Sequence, residues 1–266
     1  MAATEKRVTM SHGETRYFEA GSGYPTILIH GAGFLSGADG WLPTMQPLAE
    51  QYRVLAIDCL NWGPGDVFNQ EFSFPYLVDH VREFMDVLDI PRANIVGHSM
   101  GGWIATLFAY ESPERVHKLI LVAAGGAATR PLQRMVEFKV PDDQQITDQI
   151  SLRLSKVDID IEPILESYLD KAHDPEQVEA FAKVMRHMTD PLTRQRYNTL
   201  RRLPKITAPT LVLWGREDKT NALELGEQIH AALKGSKLVV IDDTGHGVPQ
   251  EQPERFTKEV LAFLAE

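Results

Sequence analysis

Short runs of aliphatic and β-branched residues alternate along this chain with longer segments that have helical periodicity. A run without polar interruption is typical of a strand that is buried on both faces, as in a parallel sheet. The runs are Thr26–Ile29, Val54–Ile57, Asn94–Val96, Leu119–Val122, Thr210–Leu213 and Leu238–Ile241. Their alternation with helical segments predicts an α/β protein in which helices cover a mostly parallel sheet.

Two of the intervening segments have a clear amphipathic pattern. In Pro75–Asp89 and Pro253–Ala265 the apolar residues recur at three- and four-residue spacing, which predicts helices with one buried face. Near the beginning of the chain, Arg7–Met10 and Arg16–Phe18 predict an antiparallel ribbon at the sheet edge.

Composition and charge exclude several functional classes. The chain has 266 residues, a length at which one domain can hold a large core. Its formal net charge is −10, so the chain is expected to repel nucleic acid and anionic lipid. A basic run has only Tyr197 as an interleaved aromatic residue, and we interpret it as a solvated helix face. It consists of Arg194, Arg196, Arg201, Arg202 and Lys205.

The single cysteine permits a reducing compartment, and the hydropathy pattern bears on targeting. Cys59 has apolar neighbours, so it is interpreted as a buried structural thiol, and no internal disulfide can form. The first residues lack the apolar core of a signal peptide, and no segment has the length of a membrane span. A cytoplasmic protein without a membrane partner is therefore expected.

One region interrupts the strand–helix alternation. Residues 126–205 contain no convincing strand and are helical in pattern. This predicts a helical cap, inserted into a single domain whose core is formed by residues 1–125 and 206–266. Sites in open α/β sheets lie at the carboxyl ends of the strands, so the cap is also expected to form a lid over a site, although a purely stabilising insertion is the alternative.

The segment Gly97–Gly102 has the sequence Gly-His-Ser-Met-Gly-Gly and follows a predicted strand. We predict a tight turn at Ser99 into a helix that begins at Trp103, which is the context that a G-x-S-x-G nucleophile motif requires. Small residues are needed two positions before and after the serine, and Gly97 and Gly101 occupy those positions. Ser99 is the predicted nucleophile.

An activating base and an orienting acid follow later predicted strands. His246 lies between two glycines, and Asp218 follows the strand before it. A serine hydroxyl needs both a base and an acid to become nucleophilic. Glu217, Asp242 and Asp243 are the rival acids. Glu217 would need a different loop register, and the other two lie too near the histidine in sequence to orient it, so Asp218 is preferred.

Two backbone amides are predicted to stabilise the oxyanion of the reaction. Met100 is the residue after the nucleophile, and Ala32 belongs to a loop that follows the first buried run. In this motif the two oxyanion donors come from these two places. Gly33 or Phe34 is the alternative second donor. His30 is interpreted as a residue that supports this loop by hydrogen bonding.

These four motifs resemble those of the α/β-hydrolase superfamily. They are His30–Gly33, Gly97–Gly102, Gly215–Asp218 and Gly245–His246. The resemblance spans nearly the whole chain and implies an α/β-hydrolase fold, with a mostly parallel sheet of eight strands and a helical cap between strands 6 and 7. It says little about substrate.

Within this superfamily the layout is similar to the branch of small carboxylesterases and meta-cleavage-product C–C hydrolases. Three positions depart from the C–C enzymes' pattern. His98 replaces the asparagine that often precedes the nucleophile, Gly247 replaces a tryptophan, and Asp174 stands where a lid arginine would bind a carboxylate. The loop after the second run is also longer, so Trp62 either reshapes the pocket mouth or packs under its own loop.

The sequence favours hydrolysis of a carboxylic ester through an acyl-enzyme. The pocket is expected to be apolar, with Phe34 and Trp103 as lining residues, although core packing is the alternative for both. C–C hydrolysis of a vinylogous diketo acid is the second hypothesis, and a ligand receptor with vestigial turnover is the third. No metal or cofactor is predicted, because no His/Cys/Asp cluster has ligand spacing. The predicted partner is a small-molecule substrate, and the oligomeric state is left open.

Overall fold

The computed structural model describes residues 3–68, 70–131 and 133–266, which form one eight-stranded sheet with helices on both sides. The strands are β1 (Thr4–Met10), β2 (Gly13–Ala20), β3 (Pro25–Ile29), β4 (Arg53–Ile57), β5 (Ala93–His98), β6 (Val116–Val122), β7 (Thr210–Gly215) and β8 (Lys237–Ile241). Their spatial order is β1-β2-β4-β3-β5-β6-β7-β8.

Helices follow most of the strands and fill the segment between β6 and β7. They are α1 (Leu42–Ala49), α2 (Phe74–Val87), α3 (Met100–Glu111), α4 (Gln133–Val136), α5 (Asp143–Leu154), α6 (Glu162–His173), α7 (Pro175–Thr189), α8 (Pro191–Arg196), α9 (Leu223–Ala232), α10 (Val248–Glu251) and α11 (Pro253–Leu264). Short 3-10 turns occupy Ala38–Trp41, Pro113–Arg115 and Leu203–Lys205.

The sheet has the predicted α/β-hydrolase topology. From β3 onward every neighbouring pair is parallel, whereas β1 pairs with β2, and β2 with β4, in antiparallel register. The antiparallel ribbon predicted at the sheet edge is therefore confirmed. Because β3, β5, β7 and β8 run in the same direction, the loops after all four strands meet at one edge of the sheet.

Burial follows the position of each strand in the sheet. The central strands β3 to β7 are buried almost throughout. The prediction that Leu238–Ile241 is fully buried was wrong: Leu238, Val239 and Val240 are only half-buried. As the last strand in the sheet, β8 has a neighbouring strand on one side only.

The inserted helices α4 to α8 pack on the core that surrounds the sheet. Ile146, Ile150, Tyr168 and Phe181 from these helices belong to the same cluster of buried apolar side chains as the strands. In the described part of the insertion, every regular element is helical.

Two local predictions differ from the structure. The helix after the nucleophile begins at Met100, not at Trp103, because Ser99 itself caps it and the Trp103 amide already bonds the Ser99 carbonyl. The basic run is not one solvated helix face: α8 ends at Arg196, and Arg194 is buried, with 7% of its surface exposed.

The predicted helix boundaries are otherwise close to the observed ones, and Cys59 is buried as expected. Within the described residues, no helix combines the length and the apolarity needed to cross a bilayer.

Candidate active site

Ser99 lies on a strained turn between β5 and α3. Its φ is +54° and its ψ is −113°, a conformation that costs a non-glycine residue about 1–3 kcal/mol. The turn is so tight that a Cβ on Gly97 would lie 2.2 Å from the Gly101 carbonyl oxygen, and one on Gly101 would lie 2.1 Å from the Ile29 carbonyl oxygen. The surrounding backbone thus holds the seryl side chain at the edge of the sheet.

The structure brings the three predicted triad residues together. His246 Nε2 is 2.9 Å from Ser99 Oγ, and His246 Nδ1 is 2.8 Å from Asp218 Oδ2. Because a carboxylate only accepts, Nδ1 carries the ring proton and Nε2 accepts from the seryl hydroxyl. This chain of hydrogen bonds is the arrangement that makes a serine nucleophilic.

Asp218 is held as an anion beneath the histidine. Its Oδ1 accepts hydrogen bonds from the amides of Thr220, at 2.7 Å, and Asn221, at 2.9 Å. Burial acts to raise the pKa of Asp218, but its hydrogen bond and charge interaction with His246 and the two amides lower that pKa below its ordinary value.

The rival acids have other partners. Glu217 accepts a hydrogen bond from the Thr244 amide, and Asp242 pairs with the exposed Arg216. The described contacts of Asp243 include none with His246. Among the acids considered from the sequence, Asp218 is the one that reaches the imidazole.

Hydrogen bonds hold the loop after β3, which lines the same cavity as the nucleophile. His30 Nε2 accepts from the Cys59 amide at 3.0 Å, so the proton is on Nδ1, which donates to the Gly31 carbonyl at 2.7 Å. In a trans peptide the C=O and N–H groups point in opposite directions, so the Ala32 amide is directed away from His30. Ala32 lines the cavity that contains Ser99. The assignment of Ala32 and Met100 as oxyanion donors stays a prediction.

Burial keeps His30 neutral, since it lowers its pKa to about 4. Trp62 is also part of this support. It is buried, and its indole N–H donates to the Gly33 carbonyl at 2.9 Å. Trp62 therefore neither lies at the pocket mouth nor packs only under its own loop; it binds the loop after β3.

His98 has a structural role that the sequence did not reveal. Its Nε2–H donates to the His246 carbonyl at 2.8 Å, and the two imidazole rings are 5.0 Å apart. Burial lowers the pKa of His98 to about 3. A neutral His98 holds the backbone of His246 without placing a positive charge beside its imidazole.

A cavity of about 460 Å³ opens in front of Ser99 and His246, between the sheet edge and the inserted helices. Both predicted lining residues, Phe34 and Trp103, form part of its wall. The other large apolar wall residues are Met100, Met135, Phe138, Phe181, Met185, Met188 and Leu225. A larger groove of about 640 Å³ beside α8 contains none of the triad residues, so it is not the reaction site.

The charged lining of this cavity is entirely cationic. Arg130, Lys139 and Arg194 line it, and its described lining residues include no aspartate or glutamate. This contrasts with the net charge of −10 for the whole chain. Arg130 and Lys139 are exposed, whereas Arg194 lies deep.

Arg194 has no acidic partner among the described residues. Its guanidinium donates to the carbonyls of Met188, at 3.2 Å, and Ala128, at 3.0 Å, and lies 5.3 Å from the centre of the Trp103 ring. Its Nε has no hydrogen-bond partner in the described structure. Burial lowers the pKa of Arg194, as expected for a cation without a counter-ion. The sequence held no signal for this, because the position looks like part of a basic surface run.

The positions that depart from the C–C hydrolase pattern have local roles. Asp174 caps α7 by accepting from the Glu176 amide at 2.9 Å. The Gly247 amide donates to Glu251 at 2.8 Å. A lid arginine is absent at the expected place, but Arg194 brings a guanidinium into the cavity from a different helix.

The chain resembles proteins of known family over most of its length. Residues 26–259 match the model of the alpha/beta hydrolase family. A 2-hydroxy-6-oxononadienedioate/2-hydroxy-6-oxononatrienedioate hydrolase from Paraburkholderia xenovorans is 30% identical, over 99% of this chain and 96% of the relative.

Two solved structures are similar to this chain in both sequence and fold. A meta-cleavage product hydrolase from Pseudomonas fluorescens is 26% identical with a TM-score of 0.79, over 98% of this chain and 97% of that one. A bacterial membrane phospholipase A is 28% identical with a TM-score of 0.79, over 99% of this chain and 86% of that one.

Proposed function

Because this chain belongs to the alpha/beta hydrolase family, we propose that it is a serine hydrolase that cleaves a carbon–carbon bond beside a keto group, in a substrate that carries a carboxylate. The relative from Paraburkholderia xenovorans, named for hydrolysis of a 2-hydroxy-6-oxo-dienedioate, supports this choice. The sequence alone favours hydrolysis of a carboxylic ester, with C–C hydrolysis as the second hypothesis. The comparisons support the second better.

The proposal rests on one observation, the unpaired Arg194 in the cavity of Ser99. Burying a cation without a counter-ion is costly, and a bound carboxylate would supply both the missing charge and an acceptor for Nε. Charge-assisted hydrogen bonds of this kind contribute about 1.5–3 kcal/mol. A carboxylate-bearing substrate therefore suits this pocket better than a neutral one.

The geometry of the triad supports the following reaction. His246 accepts the Ser99 proton while Oγ attacks the keto carbon, and the amides of Ala32 and Met100 stabilise the oxyanion. When the oxyanion collapses, the carbon–carbon bond breaks. The substrate is a vinylogous diketo acid, so the departing carbon is conjugated with a second carbonyl and leaves as an enolate. This enolate takes the proton from His246. Water, deprotonated by His246, then releases the acyl group from Ser99 as a carboxylic acid.

Ester hydrolysis is the second candidate, and the apolar wall favours it. Nine large apolar side chains line the cavity of the nucleophile, enough to hold an acyl chain. A phospholipase is also among the similar structures. The same triad and acyl-enzyme would serve both reactions, because only the leaving atom differs.

One set of variants separates these candidates. We would measure kcat/KM of the wild type, Ser99→Ala, Arg194→Met and Arg196→Met on a 2-hydroxy-6-oxo-dienedioate and on p-nitrophenyl butyrate. Ser99→Ala should lose about 10⁶-fold on both. Arg194→Met should lose about 10- to 100-fold on the dienedioate and little on the ester. Arg196 is exposed and does not line the cavity, so its variant is the matched control.

A wild type that turns over the ester but not the dienedioate would reject the C–C proposal in favour of the second candidate. Ligand-dependent thermal stabilisation without turnover on either substrate would instead favour the receptor hypothesis.

A further inference from the structure

Three backbone carbonyls of the loop between β3 and α1 accept hydrogen bonds from side chains. One donor is the first residue of the loop, and the other two lie outside it. His30 binds the Gly31 carbonyl, Trp62 binds the Gly33 carbonyl, and Arg153 Nη1 binds the Leu35 carbonyl. His30 and Trp62 belong to the sheet side of the molecule. Arg153 lies on α5, which belongs to the inserted helices.

Arg153 also binds the segment that follows the loop. Its Nη2 donates to Asp39 Oδ2, and its guanidinium lies 5.4 Å from the centre of the Tyr168 ring on α6. The planar guanidinium presents its two Nη groups in a fixed geometry, so one side chain connects the loop carbonyl and the carboxylate rigidly. Only 15% of the Arg153 side chain is exposed.

Asp39 is a fixed point on the sheet side of this contact. It is fully buried and also accepts from Arg16 Nη2 at 2.7 Å and from Tyr168 Oη at 2.8 Å. Burial acts to raise the pKa of Asp39, but Arg153 and Arg16 lower it below its ordinary value. The carboxylate therefore stays charged and keeps its three donors.

A short hydrogen-bonded turn connects the Leu35 carbonyl to the predicted oxyanion donor, the Ala32 amide. The Ser36 amide donates to the Gly33 carbonyl at 2.9 Å, which closes a tight turn over Gly33–Ser36. This turn begins directly after Ala32. A displacement of the Leu35 carbonyl would therefore move the whole turn and, with it, the peptide that carries the Ala32 amide.

We infer that Arg153 is a positioning residue for the oxyanion hole, through which the seating of the inserted helices sets the geometry of the Ala32 amide. This inference rests on the proposed serine-hydrolase mechanism. It assigns the insertion a part in stabilising the transition state, in addition to covering the cavity.

The test compares Arg153→Met, Arg153→Lys and Tyr168→Phe. Arg153→Met removes both contacts, while Arg153→Lys keeps the charge but cannot reach the Leu35 carbonyl and Asp39 together. Tyr168→Phe is the matched control, because it removes a hydrogen bond from the same carboxylate and leaves the loop carbonyl bound. Asp39 keeps Arg16 in every variant, and thermal melts would check that each one folds.

The measurements are Ser99 acylation by p-nitrophenyl acetate and inhibition by an aryl trifluoromethyl ketone, which forms an oxyanion when serine adds to it. Misplacing a reacting group by about 1 Å can cost about 100-fold. Arg153→Met should lower the acylation rate and the ketone affinity by the same factor, about 10- to 100-fold, and Arg153→Lys by less. Affinity for the unreactive methyl ketone analogue should change less than twofold.

Unchanged rates in Arg153→Met, or an equal loss in Tyr168→Phe, would overturn the inference and leave the serine-hydrolase proposal intact. If the wild type shows no acylation that depends on Ser99, the proposed function fails and the inference fails with it.

Discussion

At the scale of single residues, buried cations are the unusual feature of this acidic chain. Arg194 faces the cavity, and Lys171 lies behind its wall. Lys171 is 1% exposed, and its Nζ lies 3.4 Å from the Asn61 carbonyl and 5.0 Å from the centre of the Phe34 ring. Burial lowers the pKa of Lys171 to about 7, although Asp58 acts to raise it.

This buried lysine predicts a rise of stability with pH. Below pH 7 Lys171 is charged in both the folded and the unfolded chain, and its burial penalty is complete. Between about pH 7 and its ordinary pKa of 10.5, the unfolded chain binds a proton that the folded chain does not, so the free energy of unfolding increases with pH. Asp58, Asp39 and Arg16 are the charges that face this site.

Lys171→Met keeps the chain length of the side chain and removes the titration. Urea unfolding of the wild type and this variant at pH 6.0, 7.5 and 9.0 should show that the variant's advantage in free energy of unfolding shrinks as pH rises. Parallel pH profiles for the two proteins would contradict the prediction.

At the scale of secondary-structure elements, the contact between the nucleophile turn and β3 is decided by sterics. Gly101 lies in α3, where alanine would by propensity stabilise the helix by about 0.5–1 kcal/mol. Its Cβ, however, would meet the Ile29 carbonyl oxygen at 2.1 Å and the carbonyl carbon at 2.6 Å. Backbone atoms in a central strand cannot move aside, so the steric term is larger.

Gly101→Ala should therefore destabilise the protein by about 3–5 kcal/mol, in the range of severe overpacking. Gly40→Ala is the matched control, since its Cβ would have ordinary contacts of 3.7 Å and 3.9 Å with side-chain atoms. That variant should change the free energy of unfolding by less than about 1 kcal/mol. Equal free energies of unfolding of the two variants in urea would show that Gly101 does not lie so close to the Ile29 carbonyl.

At the scale of the whole molecule, the inserted helices share one core with the sheet. We therefore predict that the insertion and the α/β core unfold as one unit. Trp41, Trp62, Trp103 and Trp214 are all buried in the core outside the insertion, whereas far-ultraviolet circular dichroism also reports the inserted helices.

The urea curves from tryptophan fluorescence and from circular dichroism should therefore coincide. Two separated transitions would mean that the insertion is an independent unit. The Ser99→Ala variant, in which the core packing is kept, is a suitable control for effects of turnover or bound product.

Much of the architecture follows from local patterns. The buried runs and their helical spacers predicted the sheet and its flanking helices, because side-chain periodicity depends only on neighbouring residues. The turn at Ser99 was predicted for a similar reason, since Gly97 and Gly101 are required by sterics within a few residues. The helix start was misplaced because the cap position depends on the backbone of Ser99 itself.

The partners of distant side chains could not be predicted in the same way. The choice of Asp218 over Glu217 needed only the register of the loop that follows β7, but the burial of Arg194 depends on how α8 packs against Trp103. The binding of the Leu35 carbonyl by Arg153 likewise joins residues 118 positions apart. No local pattern encodes which of several arginines finds such a place.

The order of strands and helices, the nucleophile turn and the three residues proposed to act on the substrate can be read from the chain alone. They depend on short-range sterics and on the direction of successive strands. The charge of the cavity and the contact between the inserted helices and the oxyanion loop are set by the folding of the whole chain. Both arise where segments far apart in the chain pack together and exclude water. The pKa and the hydrogen-bond partners of a guanidinium or an imidazole then depend on the groups that surround it.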